Sequence, residues 1–286
     1  MFGYICCFLL VLLLLFLLKR YFNGGVCRYT ADLTGKIIII TGANSGLGLY
    51  TTEKLSELNA TIIMACRNVK KAEKAKEKIE KNRNFRGSLD IMYLDLSKTS
   101  SIRAFASEFL SKYDKKLDIL INNAGIVLGS DINNAEEFEA SWEKSLAVMA
   151  SAQQWAIRTA LPWLRRAEHP RILNVASTEA LGATAHNAAY VVAKHACLGL
   201  TRAMAVELGK EGITVNCVCP GPVNTGITAR IPEQDKQVFA RRRTALRRYA
   251  ESEEIAHVIL SLVLPAAGFV TGAAVPVDGG LTIRNA

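Results

Sequence analysis

Tyr190 and Lys194 are the residues of this chain whose types and spacing first suggest chemistry. They lie in the stretch AAYVVAKHA, four positions apart among small apolar residues. On a helix, positions i and i+4 share one face about one turn apart, so the phenol and the ammonium would stand side by side. A positive charge beside a phenol favours its ionised form, and such a pair could take up and release a proton. A core tyrosine beside a lysine that reaches to water is the alternative, and this short motif alone does not exclude it.

A glycine-rich turn, TGANSGLG, occupies residues 41–48 between the first predicted strand and the first predicted helix. Glycines there let the backbone approach a pyrophosphate and let the helix pack on the strand, while the helix N-terminus supplies N–H donors. A turn that serves only tight packing is the alternative, but the strand–turn–helix context favours dinucleotide binding. The residues expected to bind the dinucleotide are Gly42, Asn44, Ser45, Gly46, Leu47 and Gly48.

The end of the second predicted strand bears on the choice of cofactor. In dinucleotide-binding folds an acidic residue near this point binds the ribose 2′-OH. This chain has Cys66 and Arg67 there instead. A guanidinium can hold a 2′-phosphate with paired hydrogen bonds, so the sequence predicts NADP(H) in preference to NAD(H). A surface arginine with no ligand is the alternative.

The elements that would position these residues alternate between strand and helix. Short runs rich in Ile, Val and Leu predict buried strands at residues 36–41, 60–66, 88–94, 117–122, 171–177, 213–218 and 273–277. Helical stretches are predicted at residues 69–83, 98–113, 135–167 and 187–210. This alternation implies βαβ units and a parallel sheet covered by helices on both faces. The predicted fold class is α/β, a doubly wound (Rossmann-type) sheet in a single domain of residues 36–286.

In combination, the motifs resemble the short-chain dehydrogenase/reductase superfamily. The matching pieces are TGANSGLG, Asp95 in YLDLS, NNAG at 122–125, Ser177, YVVAK, and CPGPVNT at 219–225. They follow the family's order over residues 36–280, which is almost all of the chain after its N-terminal segment. Ser177 falls thirteen residues before Tyr190, as the family's pattern requires.

The resemblance implies that Tyr190 is the general acid/base, that Lys194 lowers its pKa and binds the nicotinamide ribose, and that Ser177 bonds the substrate oxygen. Moving a phenol pKa from ~10 to ~7 takes about 4 kcal/mol, and an adjacent ammonium has the right sign. The implied activity is NADP(H)-dependent interconversion of a carbonyl and an alcohol on a small hydrophobic substrate of retinoid, steroid or 3-oxoacyl type. Besides Tyr190 and Lys194, the cofactor contacts implied beyond the second strand are Asp95, Leu96, Asn122, Ala124, Gly125, Pro220, Gly221, Val223 and Thr225.

One position departs from the family's pattern. Where the family usually has an asparagine, in the stretch WEKSLAVMASA, this chain has Met149. In the family that asparagine holds a water linking the lysine to solvent, whereas a thioether accepts hydrogen bonds weakly and donates none. Proton resupply is therefore expected to suffer. The alternative function is a membrane-attached nucleotide-binding protein with weak or no catalysis.

The two parts of the chain resemble different branches of the superfamily. Residues 1–125, with LTGKIIIITGANSGLG and ACRN, are similar to membrane-bound retinol dehydrogenases. Residues 126–286, with AVELGKEGITVNCVCPGPVNT and FVTGAAVPVDGG, are similar to soluble 3-oxoacyl-(acyl-carrier-protein) reductases. Lysine outnumbers arginine up to Gly125, and arginine outnumbers lysine beyond it. The hypothesis is that the chain is recombined or engineered.

The N-terminal segment is predicted to be a retained membrane anchor. Residues 2–18 carry no charge and precede Lys19 and Arg20. As a helix they would span about 25 Å, slightly less than a ~30 Å hydrocarbon core, and flanking side chains can cover the difference. A cleaved signal peptide is the alternative, but it would have a basic start and a small-residue cleavage site. We expect an anchor at 1–22, a linker at 23–35, an endoplasmic reticulum-like membrane, and the catalytic domain in the cytosol.

The charge distribution and the cysteine spacing limit which ligands and partners the protein is expected to bind. The 286-residue chain has a net charge of +9 and 7 cysteines. Its basic residues are scattered without interleaved aromatics, so a charged surface is expected rather than nucleic-acid binding. The cysteines show no metal-ligand spacing, and Cys217 and Cys219 should face one side of a strand as small hydrophobic groups, which fits a reducing compartment. We expect no metal, lipid contact through residues 2–18, and a homodimer or homotetramer.

Overall fold

The central strand shows why the sheet forms from nearly continuous apolar runs. In the computed structural model, which describes residues 31–113 and 116–284, strand β1 is Ile37–Thr41. Ile38 and Ile40 pack into the core on one face of the sheet, and Ile39 packs into the core on the other. A strand covered on both faces needs apolar residues at every position, which the IIII run supplies.

Seven strands form a parallel sheet in the order β3-β2-β1-β4-β5-β6-β9. The strands after β1 are β2 (Thr61–Cys66), β3 (Ser88–Tyr93), β4 (Ile119–Asn122), β5 (Arg171–Val175), β6 (Thr214–Pro220) and β9 (Ala274–Val277). Two short strands, β7 (Val223–Asn224) and β8 (Ala250–Glu251), pair separately. The predicted α/β fold class is confirmed for the described residues.

Helices cover both faces of the sheet. They are α1 (Gly46–Ser56), α2 (Val69–Glu80), α3 (Thr99–Lys112), α4 (Ala135–Leu146), α5 (Ala152–Leu164), α6 (Ala188–Leu208), α7 (Glu233–Arg243) and α8 (Ser252–Val263). The buried residues of α1, α2 and α8 join the core on one face, and those of α3, α5 and α6 join the core on the other. This is the doubly wound arrangement that the alternation of strands and helices predicts.

The strand order reverses beside β1, and this point locates the ligand crevice. From β1 the chain builds outward through β2 and β3 on one side, and then returns to β4 on the other. In open α/β sheets, ligands bind outside the carboxyl ends of the strands at such a switch point. The glycine-rich turn after β1 and the segment after β4 both lie there.

The structure corrects the predicted continuous helix at 135–167. Helix α4 ends at Leu146, a π-helical segment covers Ala147–Ser151, and α5 continues from Ala152 to Leu164. A π-helical turn accommodates one more residue than an α-turn and is often found at functional sites. Apolar periodicity does not report such a local change, so the interruption was not predicted.

The predicted anchor, residues 1–22, lies outside the described residues, as does most of the predicted linker. Within the described part, no helix combines the length and apolar character that crossing a membrane requires. Four cysteines there are buried free thiols: Cys66, Cys197, Cys217 and Cys219. Cys217 and Cys219 join one apolar cluster, which confirms that both face the same side of β6.

Candidate active site

A cavity of about 680 Å³ opens at the carboxyl edge of the sheet. It is lined by residues that follow the ends of β1 to β6 and by the N-terminal part of α6. The predicted site residues that line it are Gly42, Asn44, Ser45, Gly46, Leu47, Arg67, Asp95, Leu96, Ala124, Gly125, Ser177, Tyr190, Lys194, Pro220, Gly221, Val223 and Thr225. The cavity therefore brings together residues that are far apart in the sequence.

Two predicted cofactor residues lie behind the cavity wall instead. A Cβ atom at Gly48 would collide with the carbonyl oxygen of Gly42, so this glycine serves the close packing of α1 on the turn. Asn122 is buried, and its Nδ2 donates to Asn174 Oδ1 at 2.9 Å. Asn174 Nδ2 in turn donates to Thr201 Oγ1 at 2.9 Å, so Asn122 ties β4 to β5 and α6. Neither residue lines the cavity, and their contact with the cofactor stays a prediction.

The glycine-rich turn has the geometry of an anion cradle. Gly42 and Gly46 have φ values of 67° and 51°, a left-handed region that favours glycine. Helix α1 has no acidic residue in its first turn, and Ser45 makes no side-chain capping bond there. The N–H groups of the first turn are therefore available to a ligand, and the helix dipole favours a negative one. These features fit a pyrophosphate group.

The far end of the cavity carries cations. Arg67 and Lys71 both line it, together with Asn68, whose side chain caps α2 by accepting from Lys71 N at 2.9 Å. Burial raises the pKa of the Cys66 thiol to about 11, so the side chain at this position stays neutral. A 2′-phosphate would thus meet two cations and no carboxylate at the end of β2.

Asp95 presents an ionised carboxylate to the cavity. Burial raises the pKa of Asp95, but hydrogen bonds outweigh that effect and keep it below its ordinary value. Ser97 donates to Oδ1 from its hydroxyl at 2.7 Å and from its backbone N–H at 3.0 Å, and the Arg67 charge acts in the same direction. An acceptor held in this way can bond an adenine amino group.

The three residues of the implied catalytic group meet at the centre of the cavity. Lys194 is 3% exposed, and its Nζ donates to the Val175 carbonyl oxygen at 2.8 Å. The same Nζ lies 5.5 Å from the centroid of the Tyr190 ring. Ser177 follows the end of β5, and its Oγ accepts from Glu179 N at 3.2 Å, so its own proton remains free to donate. The arrangement places a phenol, an ammonium and a hydroxyl around one space.

Met149 lies directly beside this group. It is fully buried in the π-helical segment and packs with Val148 and Ala193 against Tyr190. A Cβ atom placed on Gly125 would lie 3.6 Å from both Lys194 Nζ and Met149 Sδ. The thioether and the ammonium therefore both border Gly125, and the thioether offers little hydrogen bonding.

Several cavity residues were not predicted. Lys71 was not among the predicted cofactor residues, although its position four residues after Arg67 was a usable signal. Lys144 and Val148 line the cavity from the segment around the end of α4, one turn apart. Ile126, Ile227 and Thr228 line it from loops, whose side-chain directions the sequence does not fix.

Comparisons with known proteins agree with this geometry. The family profile described as enoyl-(acyl carrier protein) reductase matches residues 42–282. The 3-oxoacyl-[acyl-carrier-protein] reductase FabG of Thermotoga maritima is 30% identical over 251 residues, which cover 88% of this chain and 99% of that protein. Retinol dehydrogenase 12 of Bos taurus is 35% identical over 220 residues, which cover 73% of this chain and 68% of that protein.

The solved structures point to the same fold. L-sorbose reductase from Gluconobacter frateurii, complexed with NADPH and L-sorbose, superposes with a TM-score of 0.81 and 25% identity. The match covers 89% of this chain and 99% of that one.

Both sequence alignments above are longer than the part of this chain on either side of Gly125, so each spans that position. A recombined origin stays a prediction.

Proposed function

Because the chain belongs to the short-chain dehydrogenase/reductase family, we propose that it is an NADP(H)-dependent oxidoreductase that interconverts a carbonyl and an alcohol on a hydrophobic substrate. The observation that carries the proposal is the placement of Tyr190, Lys194 and Ser177 around one cavity that also contains the glycine-rich turn.

The cavity residues fit NADP(H). The first turn of α1 would hold the pyrophosphate. Gly42 precedes this turn, and Gly46 is its first residue. Arg67 and Lys71 would hold the 2′-phosphate, and Asp95 would accept from the adenine. Pro220, Gly221, Val223 and Thr225 also line the cavity, and the carboxamide would lie against them. The supporting complex is that of L-sorbose reductase, which contains NADPH.

The chemistry at the centre follows from the charges. When bound, the nicotinamide cofactor supplies or accepts a hydride. Tyr190 then gives a proton to the substrate oxygen in reduction, or takes one in oxidation. Lys194 Nζ lies 5.5 Å from the centroid of the Tyr190 ring, where it would bind the nicotinamide ribose. Ser177 donates a hydrogen bond to the same substrate oxygen, which fixes its position.

The substrate end of the cavity is largely apolar. Ile126 and Val148 belong to the same apolar cluster as Tyr190, and Ile227 also lines the cavity. Apolar walls with a few polar groups suit a hydrophobic ligand with one reacting oxygen. Retinoids, steroid ketones and 3-oxoacyl thioesters all meet this description, and the two relatives above are named for the first and the last of these classes.

The second candidate function is nucleotide binding with weak or no catalysis. Met149 favours it, because a thioether stands where the family usually has an asparagine and cannot relay a proton. Tight NADPH binding without turnover of any carbonyl would support this candidate over the first.

We further propose that residues 2–18 anchor the chain in an endoplasmic reticulum-like membrane, with the catalytic domain in the cytosol and the protein a homodimer or homotetramer. The uncharged segment and the following Lys19 and Arg20 support the anchor and its orientation. Resistance to carbonate extraction, with the domain open to protease from the cytosolic side, is expected. Release of a shortened, secreted form would contradict both. Sedimentation in detergent tests the oligomeric state.

The test of the main proposal is an NADPH-consumption screen with retinal, steroid ketones and acetoacetyl thioesters. We expect consumption with at least one class, and its loss in Tyr190→Phe. Tyr93→Phe is the matched control, because Tyr93 is 48% exposed on the edge strand β3 and does not line the cavity. Equal consumption in all three proteins would contradict the proposal.

A further inference from the structure

Arg171 is a buried cation at the amino end of the sheet, on the edge opposite to the candidate active site. It is the first residue of β5 and is 3% exposed. Its Nη1 donates to the Pro170 carbonyl oxygen at 3.0 Å, and its Nη2 donates to the Pro265 carbonyl oxygen at 3.5 Å. Its Nε has no hydrogen-bond partner among the residues that the structure describes. Both bonded partners are neutral, so neither supplies a negative charge.

No carboxylate in the described part of the chain balances the charge of Arg171. Burial lowers the pKa of its guanidinium, and no charged group among the described residues opposes this effect. The guanidinium still stays protonated near neutral pH, because its ordinary pKa lies above 12. Buried charges in proteins are normally paired with an opposite charge, because desolvating an unpaired one is costly. The position of Arg171 therefore calls for a counter-charge.

Thr214 places a second unpartnered polar atom next to Arg171. It lies on β6 in register with Arg171, and its buried Oγ1 atom has no hydrogen-bond partner within the described residues. Neighbouring parallel strands lie about 4.8 Å apart, and successive side chains alternate between the two faces. Leu173 of β5 and Val218 of β6 belong to one core cluster, and Ile172 belongs to the other. Arg171 and Thr214, each an even number of positions away, face the same side as Leu173 and Val218.

The loop after α8 separates the guanidinium from solvent. Gly268 in this loop is exposed, and a Cβ atom placed on it would lie 3.4 Å from Arg171 Nη2. The loop is held by Asn216 of β6, whose Nδ2 donates to the Val270 carbonyl oxygen at 2.7 Å and whose Oδ1 accepts from Ala273 N at 3.1 Å. A displacement of this loop alone would bring a small ion to the guanidinium.

The chemistry of the two unpartnered atoms favours an anion. The Nε–H group of an arginine donates and cannot accept, and a threonine hydroxyl can donate as well. Internal water would bond to both atoms, but it would leave the positive charge unbalanced. An anion accepts from both donors and also cancels the charge. Because Arg171 is only 3% exposed, the anion has to be small.

We propose that Arg171 Nε and the Thr214 hydroxyl bind a small inorganic anion, of the size of chloride, beneath the loop after α8. The site lies at the opposite edge of the sheet from the candidate active site, and it does not depend on the proposed oxidoreductase function. A ligand that binds only the folded state stabilises that state. The stability of the fold should therefore depend on the anion.

Chloride binding is measured by the line width of the ³⁵Cl NMR signal, which broadens when chloride exchanges onto a protein. The sample is the full chain in nonionic detergent micelles. Arg171→Met keeps a long unbranched side chain and removes the charge, so it should lose part of the wild-type broadening, and bromide should displace that part. Arg86→Met, at an exposed position before β3, is the matched control and should behave as wild type. Equal broadening by wild type and Arg171→Met would overturn the site.

Thermal stability gives a second measurement. For a dissociation constant of about 50 mM, raising chloride from about 1 to about 200 mM should raise the melting temperature of wild type by about 2–4 °C more than that of Arg171→Met. Gluconate keeps the ionic strength constant. Thr214→Val keeps the side-chain shape and removes the hydroxyl, so its chloride-dependent rise should be smaller than that of wild type. If Arg171→Met does not fold, an equal rise in Thr214→Val and Arg86→Met would overturn the site.

Two other partners of Arg171 give different results. If water alone bonds to Nε, wild type and Arg171→Met show the same chloride dependence. If a carboxylate of a second copy of the chain pairs with Arg171, the melting temperature of wild type depends on protein concentration and not on chloride. Either result would overturn the proposal. In crystals of the full chain grown with bromide, anomalous scattering should show an ion next to Arg171 Nε, and ions bound only at other cations would contradict it.

Discussion

Arg67→Ala is expected to weaken NADPH binding selectively. Arg67 and Lys71 line the cavity at the end of β2, where the neutral Cys66 thiol offers no negative charge. A hydrogen bond to a charged group contributes about 1.5–3 kcal/mol. Because Arg67 is exposed, solvent and salt reduce this to roughly 1–1.5 kcal/mol. The dissociation constant for NADPH should therefore rise about tenfold, and that for NADH should change by less than about twofold.

The double variant Arg67→Ala/Lys71→Ala should bind NADPH more weakly than Arg67→Ala, but the two effects should not simply add, because both side chains are assigned to one phosphate. Titration of nicotinamide fluorescence with NADPH and NADH measures both constants on the same protein. Lys70→Ala is the matched control, because Lys70 is exposed beside Lys71 but does not line the cavity. Equal weakening of the two cofactors by Arg67→Ala, or an effect of Lys70→Ala as large as that of Lys71→Ala, would refute the assignment of the phosphate site.

Three further expectations concern the relay, the turn and a surface ion pair. Met149→Asn should raise kcat and shrink the solvent isotope effect without changing NADPH affinity, because an amide can hold a water beside Lys194; an unchanged rate would mean that protons already pass another way. Gly48→Ala should lower the free energy of unfolding by about 1–3 kcal/mol, because the methyl group of the new alanine would collide with the Gly42 carbonyl oxygen. Denaturant titration measures this, and unchanged stability would contradict the close packing at Gly48. Hydrogen bonds from Arg248 hold the pKa of Glu254 at about 2, so their stabilisation is complete above the ordinary carboxyl pKa and is lost as the pH falls through 2. Arg248→Gln should therefore lower the free energy of unfolding only slightly at pH 7, because the pair is exposed, and the difference from wild type should vanish below pH 2 in urea titrations.

Much of the fold was predictable because buried parallel strands leave a strong local signal. The IIII run of β1 is apolar at every position because both faces are covered, and the following turn residues mark the carboxyl end of the strand. The predicted strand ends then locate Ser177 and Asp95 at the same edge of the sheet. This is why most of the expected site residues line one cavity.

The unpredicted features depend on tertiary context. The π-helical segment at Ala147–Ser151 changes the helix by a single residue, which apolar periodicity does not resolve. Helix α7 buries only Ala240, so it has no apolar stripe to reveal it. Helix α8, Ser252–Val263, has such a stripe in its sequence and was missed.

The roles of individual polar residues also depended on their neighbours. Asn122 was predicted to contact the cofactor, and the sequence did not indicate that its Nδ2 donates to Asn174 on the neighbouring strand. Lys71 was not among the predicted cofactor residues, but it lines the same cavity as Arg67.

The most direct test of the central claim is the rate of carbonyl reduction by Tyr190→Phe, measured with NADPH and the best substrate of the carbonyl screen. The phenol hydroxyl is the only group removed, and Lys194 and Ser177 keep their positions. The proposed mechanism predicts a fall in kcat of about 100- to 10 000-fold, with the NADPH dissociation constant within twofold of wild type and Tyr93→Phe fully active. A Tyr190→Phe enzyme that reduces the carbonyl at the wild-type rate would contradict the assignment of Tyr190 as the proton donor.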